Sequence, residues 1–324
     1  MTAVRSGLGG QLMYADESTY GTFVAPTKSL EMVSETLKLT IERIDSKGLR
    51  AGRRLVGKWQ PGKRSAGGDV DLEVAGTGFG GLLKHCLGGI ATTGAGPAYT
   101  HTATVDALPV GFTAQVGRPD VTDGTVHPFT YLGCRVNTWD LSVKAGELLM
   151  LKPAVVAMDE TLAQSLGTFS DPAGPLLSYV GGAITVGGTE VDLLDFAFKG
   201  DNKLDGARFR LRGDARIKQP LENSWREISG VLTADFEGLT QYNHFVNADE
   251  VSLVATFDGP LIVGGGGAFY SVVITANIRV DGQTPNVAGP AILTQPLQVK
   301  VVGSGATDAL AFSAAYTTTD ATPL

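Results

Sequence analysis

The sequence predicts a mainly β (α+β) protein with two tandem β-sandwich or barrel domains, each with one short helix packed outside its sheet. Three observations lead to this fold class. Glycine (43 residues) and proline (15 residues) make up about 18% of the 324 residues, above the ~12% of ordinary proteins. Many short segments alternate apolar and polar residues, as half-buried strands do. The same order of elements occurs twice, roughly 150 residues apart, which is a domain-sized repeat.

Residues 69–87, DVDLEVAGTGFGGLLKHCL, contain the clearest element. Val70, Leu72 and Val74 alternate with three carboxylates, which predicts a half-buried strand. A glycine-rich turn follows, and the apolar residues after it recur at helical spacing, which predicts a short helix. The glycines also match GxGxxG, the dinucleotide-binding fingerprint. That fingerprint requires a buried apolar strand, and the acidic face found here would repel a pyrophosphate, so a structural role is favoured.

The first repeat is predicted to span residues 30–158, after an N-terminal arm at residues 1–29. The arm is polar and contains many glycines, so it is either a frayed terminus or a segment that orders against a neighbour. Strands are expected at 36–44, 69–74, 112–117, 129–143 and 147–158. A long excursion at residues 45–68 separates the first two strands, and loops of this length are usually functional or disordered.

The second repeat is predicted to span residues 178–302, after a linker at residues 159–177 that contains Pro, Gly and Ser. Its strands are expected at 183–186, 190–198, 228–237, 251–257, 269–280 and 291–302, with a short helix at 239–246. An excursion at 199–227 occupies the same place in the order as residues 45–68. The last segment, 303–324, consists mainly of small and polar residues. This composition predicts a C-terminal tail that forms a second arm or is disordered.

Basic residues are concentrated in the two excursions. Residues 43–64 contain eight basic residues and one acidic residue, and residues 199–226 contain eight basic and four acidic residues. Because the whole chain carries a net charge of −7, acids are in excess elsewhere, including the polar faces of the strands. In a monomer these would be ordinary solvated strand faces beside basic loops. The same segregation also suits self-assembly, with basic loops of one copy reaching acidic patches of the next.

Composition argues against several classes of function. The net charge of −7 and the pI near 5.2 argue against a nucleic-acid-binding protein. Two cysteines, Cys86 and Cys134, do not make a disulfide framework, and the four histidines lack metal-ligand spacing. No nucleophile elbow marks a catalytic serine. We therefore expect no catalytic residue, no cofactor and no metal. The sequence shows no leader and no apolar run of ~18 residues, which predicts folding in the cytoplasm without a membrane.

Five motifs occur in an order that suggests a family: ADESTYGT at 15–22 with PT at 26–27, SETLKL at 34–39, GGDVDLEV at 67–74, YTHT at 99–102 and YLGCRVNTWDLSV at 131–143. On these motifs, and over essentially its full length, the chain resembles the tail tube proteins of long-tailed (siphovirus-type) bacteriophages. It is most similar to the larger kind, in which the tube domain is duplicated.

The resemblance implies a structural virion protein whose rings stack into a hollow tail tube that conducts DNA during ejection. In such tubes the inner strands join a closed β-barrel of the ring, which leaves no exposed sheet edge. Family members with one tube domain form hexameric rings, so a duplicated chain is expected to form trimers with pseudo-sixfold symmetry. The implied partners are copies of the chain itself, the tape measure protein, and the tail terminator and tip proteins. The implied location is the virion tail, after synthesis and assembly in the host bacterial cytoplasm.

Two sets of site residues are expected on this basis. A carboxylate-lined bore would let DNA slide without binding, so six acids are expected to face the lumen: Glu42, Asp69, Asp71, Glu73, Asp235 and Glu237. The loop after the first strand contacts the adjacent ring in the family. Its residues expected at the ring-to-ring contact are Arg50, Arg53, Arg54, Lys58, Trp59, Lys63 and Arg64.

Two other classes of function stay open. A monomeric, adhesin-like binding module built of two β-sandwich domains would carry aromatic clusters on its loops, whereas Trp59, Trp139 and Trp225 are dispersed along the chain. A nicotinamide-dependent enzyme is suggested by the glycine motif alone.

Overall fold

The computed structural model describes residues 6–172, 174–282, 284–287, 289–303, 305 and 307–323. Within them are nineteen strands, two α-helices and three short 3₁₀ helices. The first ten strands are β1 (Gln11–Asp16), β2 (Lys28–Leu30), β3 (Ser34–Glu35), β4 (Lys38–Asp45), β5 (Trp59–Glu73), β6 (Gly88–Ala95), β7 (Ala98–Val105), β8 (Phe112–Pro119), β9 (Val126–Lys144) and β10 (Met150–Ala157). The remaining strands are β11 (Asp159–Thr161), β12 (Gly182–Val186), β13 (Thr189–Glu190), β14 (Leu193–Asp201), β15 (Glu227–Asp235), β16 (Glu250–Leu261), β17 (Phe269–Val280), β18 (Thr294–Val301) and β19 (Phe312–Thr318). The helices are α1 (Gly80–Leu87) and α2 (Thr240–Asn247). The predicted mainly β fold class is confirmed.

Eight strands form a continuous antiparallel ladder in the order β4–β5–β10–β9–β14–β15–β18–β17. The ladder consists of two units of four strands. In each unit the second strand leads into a helix, and the third and fourth strands pair with one another in the same way. The two units are joined where β9 of the first pairs with β14 of the second. The strands of the two units therefore pair in the same order.

Two outer layers cover one face of the ladder. The long strands β9 and β17 each leave the ladder and continue into one of these layers. The first part of β9 pairs with β8 and β11, and β8 pairs with β1. Strand β17 pairs with β16 along nearly its whole length and with β19 over its first part, and β19 pairs with β7. Strand β12 pairs with β16 as β1 pairs with β8, which extends the repeat to the outer layers.

A single hydrophobic cluster lies between the ladder and the outer layers and contains residues of both repeats. The Phe196 ring lies 5.2 Å from the Phe257 ring, and the Phe198 ring lies 5.9 Å from the Phe312 ring. Fully burying side chains of this size stabilises a fold by about 1.5–3 kcal/mol each. The alternation along the ladder strands follows from this layer, because every second side chain points into it.

Helix α1 is enclosed by the core, whereas α2 has no buried residue. An eight-residue helix is too short to be stable alone, so its packing must hold it. Asp16 of β1 fixes α1 from outside, accepting from Lys84 Nζ at 2.7 Å and lying 2.6 Å from His85 Nε2. Burial of Asp16 opposes ionisation, but the hydrogen bonds and charges of His85 and Lys84 outweigh it and lower the pKa of this carboxyl.

Both chain ends contain strands that the sequence did not predict. Residues 11–16 pair with β8 inside the same chain, in place of a frayed terminus or an arm on a neighbour. Residues 1–5 of the predicted arm lie outside the described residues. In the predicted tail, β19 pairs with both β17 and β7 and buries Phe312 and Tyr316. Residues 88–105, where the sequence analysis expected no strand, form the hairpin of β6 and β7.

The two excursions have different structures. Residues 59–68 of the first excursion belong to β5 and pair with β4, so this excursion is a β-hairpin with a tip at residues 46–58. Of the second excursion, residues 199–201 belong to β14, and the part around Ala215 contacts the base of that hairpin, where Arg64 N donates to the Ala215 carbonyl at 3.0 Å. Because an exposed hairpin buries little, its sequence carries no apolar alternation from which strands could be predicted.

The expectation of a β-barrel is wrong for the single chain. The ladder begins at β4 and ends at β17, and in the described part of the chain these two strands do not pair with each other. Its two ends therefore stay open.

Candidate assembly surfaces

The face of the ladder that points away from the core carries rows of charged residues. They alternate along each strand with the buried residues of the core. Nine are acids, five are lysines and one is an arginine: Asp69, Asp71, Glu73, Asp140, Asp195, Asp201, Glu227, Asp235 and Asp281, with Lys38, Lys144, Lys152, Lys199, Lys300 and Arg279. The central part of this face is an open groove of about 680 Å³ where the two units meet. We call this surface the charged face.

Several acids of the charged face are paired with lysines of neighbouring strands. Lys152 Nζ lies 3.2 Å from Asp71 Oδ1, and Lys300 Nζ lies 3.0 Å from Glu227 Oε1. At the junction of the two units, Lys199 Nζ lies 3.2 Å from Asp140 Oδ2. The sequence analysis missed these lysines, although Lys152 and Lys300 lie at alternating positions within predicted strands. The face is therefore acidic on balance but not uniformly so.

Four of the six predicted lumen acids lie on the charged face: Asp69, Asp71, Glu73 and Asp235. Glu42 lies in the hairpin, beside the register shift between β4 and β5. Glu237 follows the end of β15, before α2. The structure thus brings four of them together and leaves two at the margins.

One end of the ladder carries carboxylates without cationic partners. This end contains the turn between β9 and β10, the start of β14 and the end of β15. Six acids lie there: Glu73, Glu147, Asp192, Asp195, Asp235 and Glu237. Among the described residues, no Lys, Arg or His lies within ion-pair distance of any of them. We call this region the acidic end.

The hairpin of β4 and β5 projects from the opposite end of the ladder. Its tip is almost entirely exposed and carries Lys47, Arg50, Arg53, Arg54 and Lys58. None of these five cations forms an ion pair within the described residues. Leu49 and Leu55 are also fully or almost fully exposed. Exposed apolar residues beside unpaired cations are typical of a protein–protein contact.

The base of the hairpin is fixed by contacts within the chain. Arg64 Nε donates to Asp159 Oδ1, and its Nη2 donates to the Glu160 carbonyl at 3.2 Å. Asp159 is buried and also pairs with Arg216 of the second excursion at 2.6 Å. The Lys63 ammonium lies 5.3 Å from the centre of the Phe209 ring. Arg64 and Lys63, predicted for a ring-to-ring contact, are therefore engaged inside the chain.

The predicted contact residue Trp59 lies at the exposed start of β5. Its ring is 5.6 Å from the Arg43 guanidinium, a cation–π contact within the hairpin. Arg43 in turn pairs with Asp45. Trp59 is 57% exposed, so most of its surface is open to a partner.

The glycine turn after β5 is filled by the chain itself. Gly78 N donates to Asp320 Oδ2 at 2.7 Å, and Gly76 N donates to the Pro175 carbonyl at 2.7 Å. The preceding strand pairs antiparallel with β10, whereas a dinucleotide-binding unit requires a parallel strand. A carboxylate of the C-terminal segment thus occupies the position that a phosphate would need.

Cys86 and Cys134 are buried, and burial raises the pKa of both thiols. Within the described residues, no group of three His, Cys, Asp or Glu side chains is arranged to hold a metal ion. Neither described helix has the length and apolar character needed to cross a membrane.

A known protein family matches most of the chain. The model of the phage tail tube protein family matches residues 7–301. The chain belongs to the phage tail tube protein family. This match covers both repeats, the hairpin and the whole ladder, and it confirms the resemblance to phage tail tube proteins. A search of curated proteins found no match. As a tail tube protein, the chain is a structural component of the virion tail that assembles with copies of itself into a tube.

Proposed function

We propose that three copies of this tail tube protein form a ring with pseudo-sixfold symmetry, and that the rings stack into the non-enzymatic conduit for DNA in a siphovirus-type tail. The observation that carries this proposal is the open ladder of two equivalent four-strand units. Three chains supply six units, and joining their ladders closes a β-barrel without free edges.

The charged face lines the bore in this proposal. Duplex DNA carries one negative charge per ~1.7 Å of its length, so a basic lining would hold it in place. Three of its five lysines, Lys152, Lys199 and Lys300, are paired with neighbouring acids, and several further acids are unpaired. The bore is thus net acidic, with Asp69, Asp71, Glu73 and Asp235 as its lumen residues. Glu42 and Glu237 are assigned to the two mouths of the ring.

The stacking contact joins the hairpin tip of one ring to the acidic end of the next. These two surfaces lie at opposite ends of the ladder, so a head-to-tail stack brings them together and continues without limit. The hairpin contributes Arg50, Arg53, Arg54 and Lys58, with Trp59 beside them. Lys63 and Arg64 hold the hairpin base and act on the contact only by positioning the tip.

The remaining proposed partners are those that membership of the tail tube family implies. The bore would surround the tape measure protein before DNA passes, and the two ends of the tube would meet the terminator and tip proteins. The chain would be made and assembled in the host bacterial cytoplasm and end in the virion.

Negative-stain electron microscopy of the purified protein tests the proposal. We expect hollow tubes of uniform diameter, whose top views show three chains and six similar units around a central channel. A persistent monomer under all conditions of concentration and salt would contradict it and favour the adhesin-like binding module. Rings with six chains would retain the tube function and contradict the trimer.

A further inference from the structure

The two open ends of the ladder correspond to the two strands that meet at its centre. Leu72 of β5 and Leu232 of β15 are both buried and precede their helices by eight residues. They pair with Leu151 and Leu297 respectively. From these anchors, β14 is equivalent to the segment 32–38, and the end of β9 is equivalent to the end of β17. Each chain therefore contains one complete junction and the two halves of another.

The complete junction gives the register. In it, Asp201 lies opposite Thr138 and Lys199 lies opposite Asp140. Lys38 lies opposite Gly67, and Asp201 lies opposite Glu227. Because Gly67 and Glu227 both precede their anchor leucine by five residues, Lys38 corresponds to Asp201. The Asp281 amide donates to the Gln298 carbonyl, and Gln298 is equivalent to Lys152. Because Lys152 lies opposite Asp140, Asp281 corresponds to Asp140.

The first half-junction is an edge without a partner strand. In the single chain its Leu37 amide donates to the Glu35 carboxylate at 2.7 Å and its Leu37 carbonyl accepts from Arg118 and Tyr131, so pairing with another strand would exchange these bonds. In the described chain, β3 and β4 pair with β5 alone. Arg118 fixes this edge from the core side: its guanidinium bonds to the Glu35 carboxylate at 2.9–3.0 Å and donates to the Leu37 carbonyl at 2.7 Å. Thr36 and Lys38 stay exposed beside it. Ordering this edge in advance lowers the entropic cost of pairing it with another strand.

The second half-junction is the end of β17. One edge of this end pairs with β18 as far as Asp281. On the other edge, β16 pairs no further than Arg279, where Glu250 lies opposite. Val280 is buried like its counterpart Trp139, so the equivalence places the same side of the strand toward the core.

We infer that residues 280–282 of one chain pair antiparallel with residues 35–37 of a second copy, with Asp281 opposite Thr36. This inference rests on the proposed ring and specifies its inter-chain contact. In this register Asp281, which pairs with Arg279 of its own chain at 3.0 Å, lies diagonally from Lys38 of the other chain, on the charged face, within reach of a long side chain. Lys38 has no ion-pair partner within the described residues of its own chain.

Disulfide cross-linking of assembled protein tests the register. Opposite residues of antiparallel strands have Cα atoms about 4.5–5.5 Å apart, which suits a disulfide. Under mild oxidation, the double variant Thr36→Cys/Asp281→Cys should give a series of covalently linked oligomers. The largest of them should contain as many chains as one ring. Mixing the two single variants should give linked dimers only. The native cysteines are buried and do not interfere.

Two controls make the outcome decisive. Asp140→Cys/Lys199→Cys is the equivalent pair inside one chain and should form an intramolecular bond without linking chains. Ser34→Cys/Asp281→Cys is displaced by two residues, ~7 Å along the strand, and should cross-link at least tenfold less. Tubes without the Thr36–Asp281 link, or with an equal Ser34–Asp281 link, would overturn the register and leave the tube function standing. Absence of tubes from the unmodified protein would overturn the tube function itself.

Discussion

Lys199 in β14 lies directly opposite Asp140 in β9, and its Nζ is 3.2 Å from Asp140 Oδ2. This pair marks the place where the two repeats join into one ladder. The Lys199 side chain is 68% exposed, whereas its neighbour Phe198 is completely buried in the shared core. The junction therefore combines a solvated ion pair on one face with apolar packing on the other.

The apolar side should dominate the stability of this junction. Replacing Phe198 by Ala should lower the free energy of unfolding by about 3–5 kcal/mol, because it leaves a cavity in the core. Replacing Lys199 by Ala should cost less than about 1 kcal/mol, because exposed ion pairs contribute little. Urea denaturation of the unassembled protein measures both. Equal losses for the two variants would show that the ion pair holds the junction.

The Asp16 cluster should make stability depend on pH. Its pKa is lower in the folded chain than its ordinary value of 3.8, so the folded state favours the ionised carboxyl. The stabilisation is then present above pH ~4 and lost as the pH falls through the folded pKa. Asp16→Asn should cost about 1–3 kcal/mol at neutral pH, as lost charged hydrogen bonds do.

The difference between the native chain and Asp16→Asn isolates this effect from other groups, such as Glu17, whose pKa is raised by burial. That difference should shrink toward zero in denaturation measured at successively lower pH. A difference that stays constant from neutral pH down to pH ~3 would contradict the assigned role.

Charge reversal should separate stacking from folding. Arg50→Glu/Arg53→Glu/Arg54→Glu should abolish tubes but leave the circular dichroism spectrum and the unfolding midpoint unchanged, because these residues have no partner within the described chain. Glu147→Lys/Asp192→Lys/Asp195→Lys should do the same from the acidic end. A mixture of the two variants should form tubes again, since each hairpin then meets an opposite charge. Normal tubes from either variant alone would refute this contact.

Arg64 is the matched contrast within the hairpin. Arg64→Glu places a carboxylate against buried Asp159, so it should destabilise the chain by about 3–5 kcal/mol. Its loss of tubes should therefore accompany a lower unfolding midpoint, unlike the tip variant.

The bore should become adhesive to DNA when its unpaired acids are reversed. Tubes of Asp69→Lys/Glu73→Lys/Asp235→Lys should retain short duplex DNA in co-sedimentation at low salt, with a steep loss of binding as salt rises. Native tubes should retain none. Asp123→Lys/Asp258→Lys/Asp308→Lys makes the same charge change at exposed positions outside the charged face. Equal DNA retention by this control would argue against the assigned lumen.

The C-terminal strand should be essential for the fold. Tyr316 is fully buried in β19, and its hydroxyl donates to the Ala75 carbonyl at 2.7 Å. Tyr316→Ala should cost about 3–5 kcal/mol, as for other large aromatic residues. Tyr316→Phe should cost about 1–3 kcal/mol because the Ala75 carbonyl is left unsatisfied. Ser313→Ala, on the opposite face of the strand, should change the unfolding midpoint little. Three equal midpoints would show that β19 is dispensable.

The parts of the fold with a local periodic signal were predictable. The strand before α1, the two helices and the main strands of both repeats all alternate or recur at helical spacing. Strand β1 has no such signal, because four successive residues, 12–15, are all buried. Strand β19 does alternate, with Phe312, Ala314 and Tyr316 facing the core, so its pattern could have been found.

The sequence by itself determined the β class, the tandem order and the family, because these depend on patterns within short segments and on motif order. Only the tertiary structure decided which charges are free. Lys152 neutralises Asp71 and Asp159 holds Arg64 across 81 and 95 residues of chain, as the register of distant strands dictates. The open ladder is likewise a tertiary result. The last strand of the first unit, β9, covers the first strand of the second unit, β14, whereas no strand of the described chain covers the outer edge of β4.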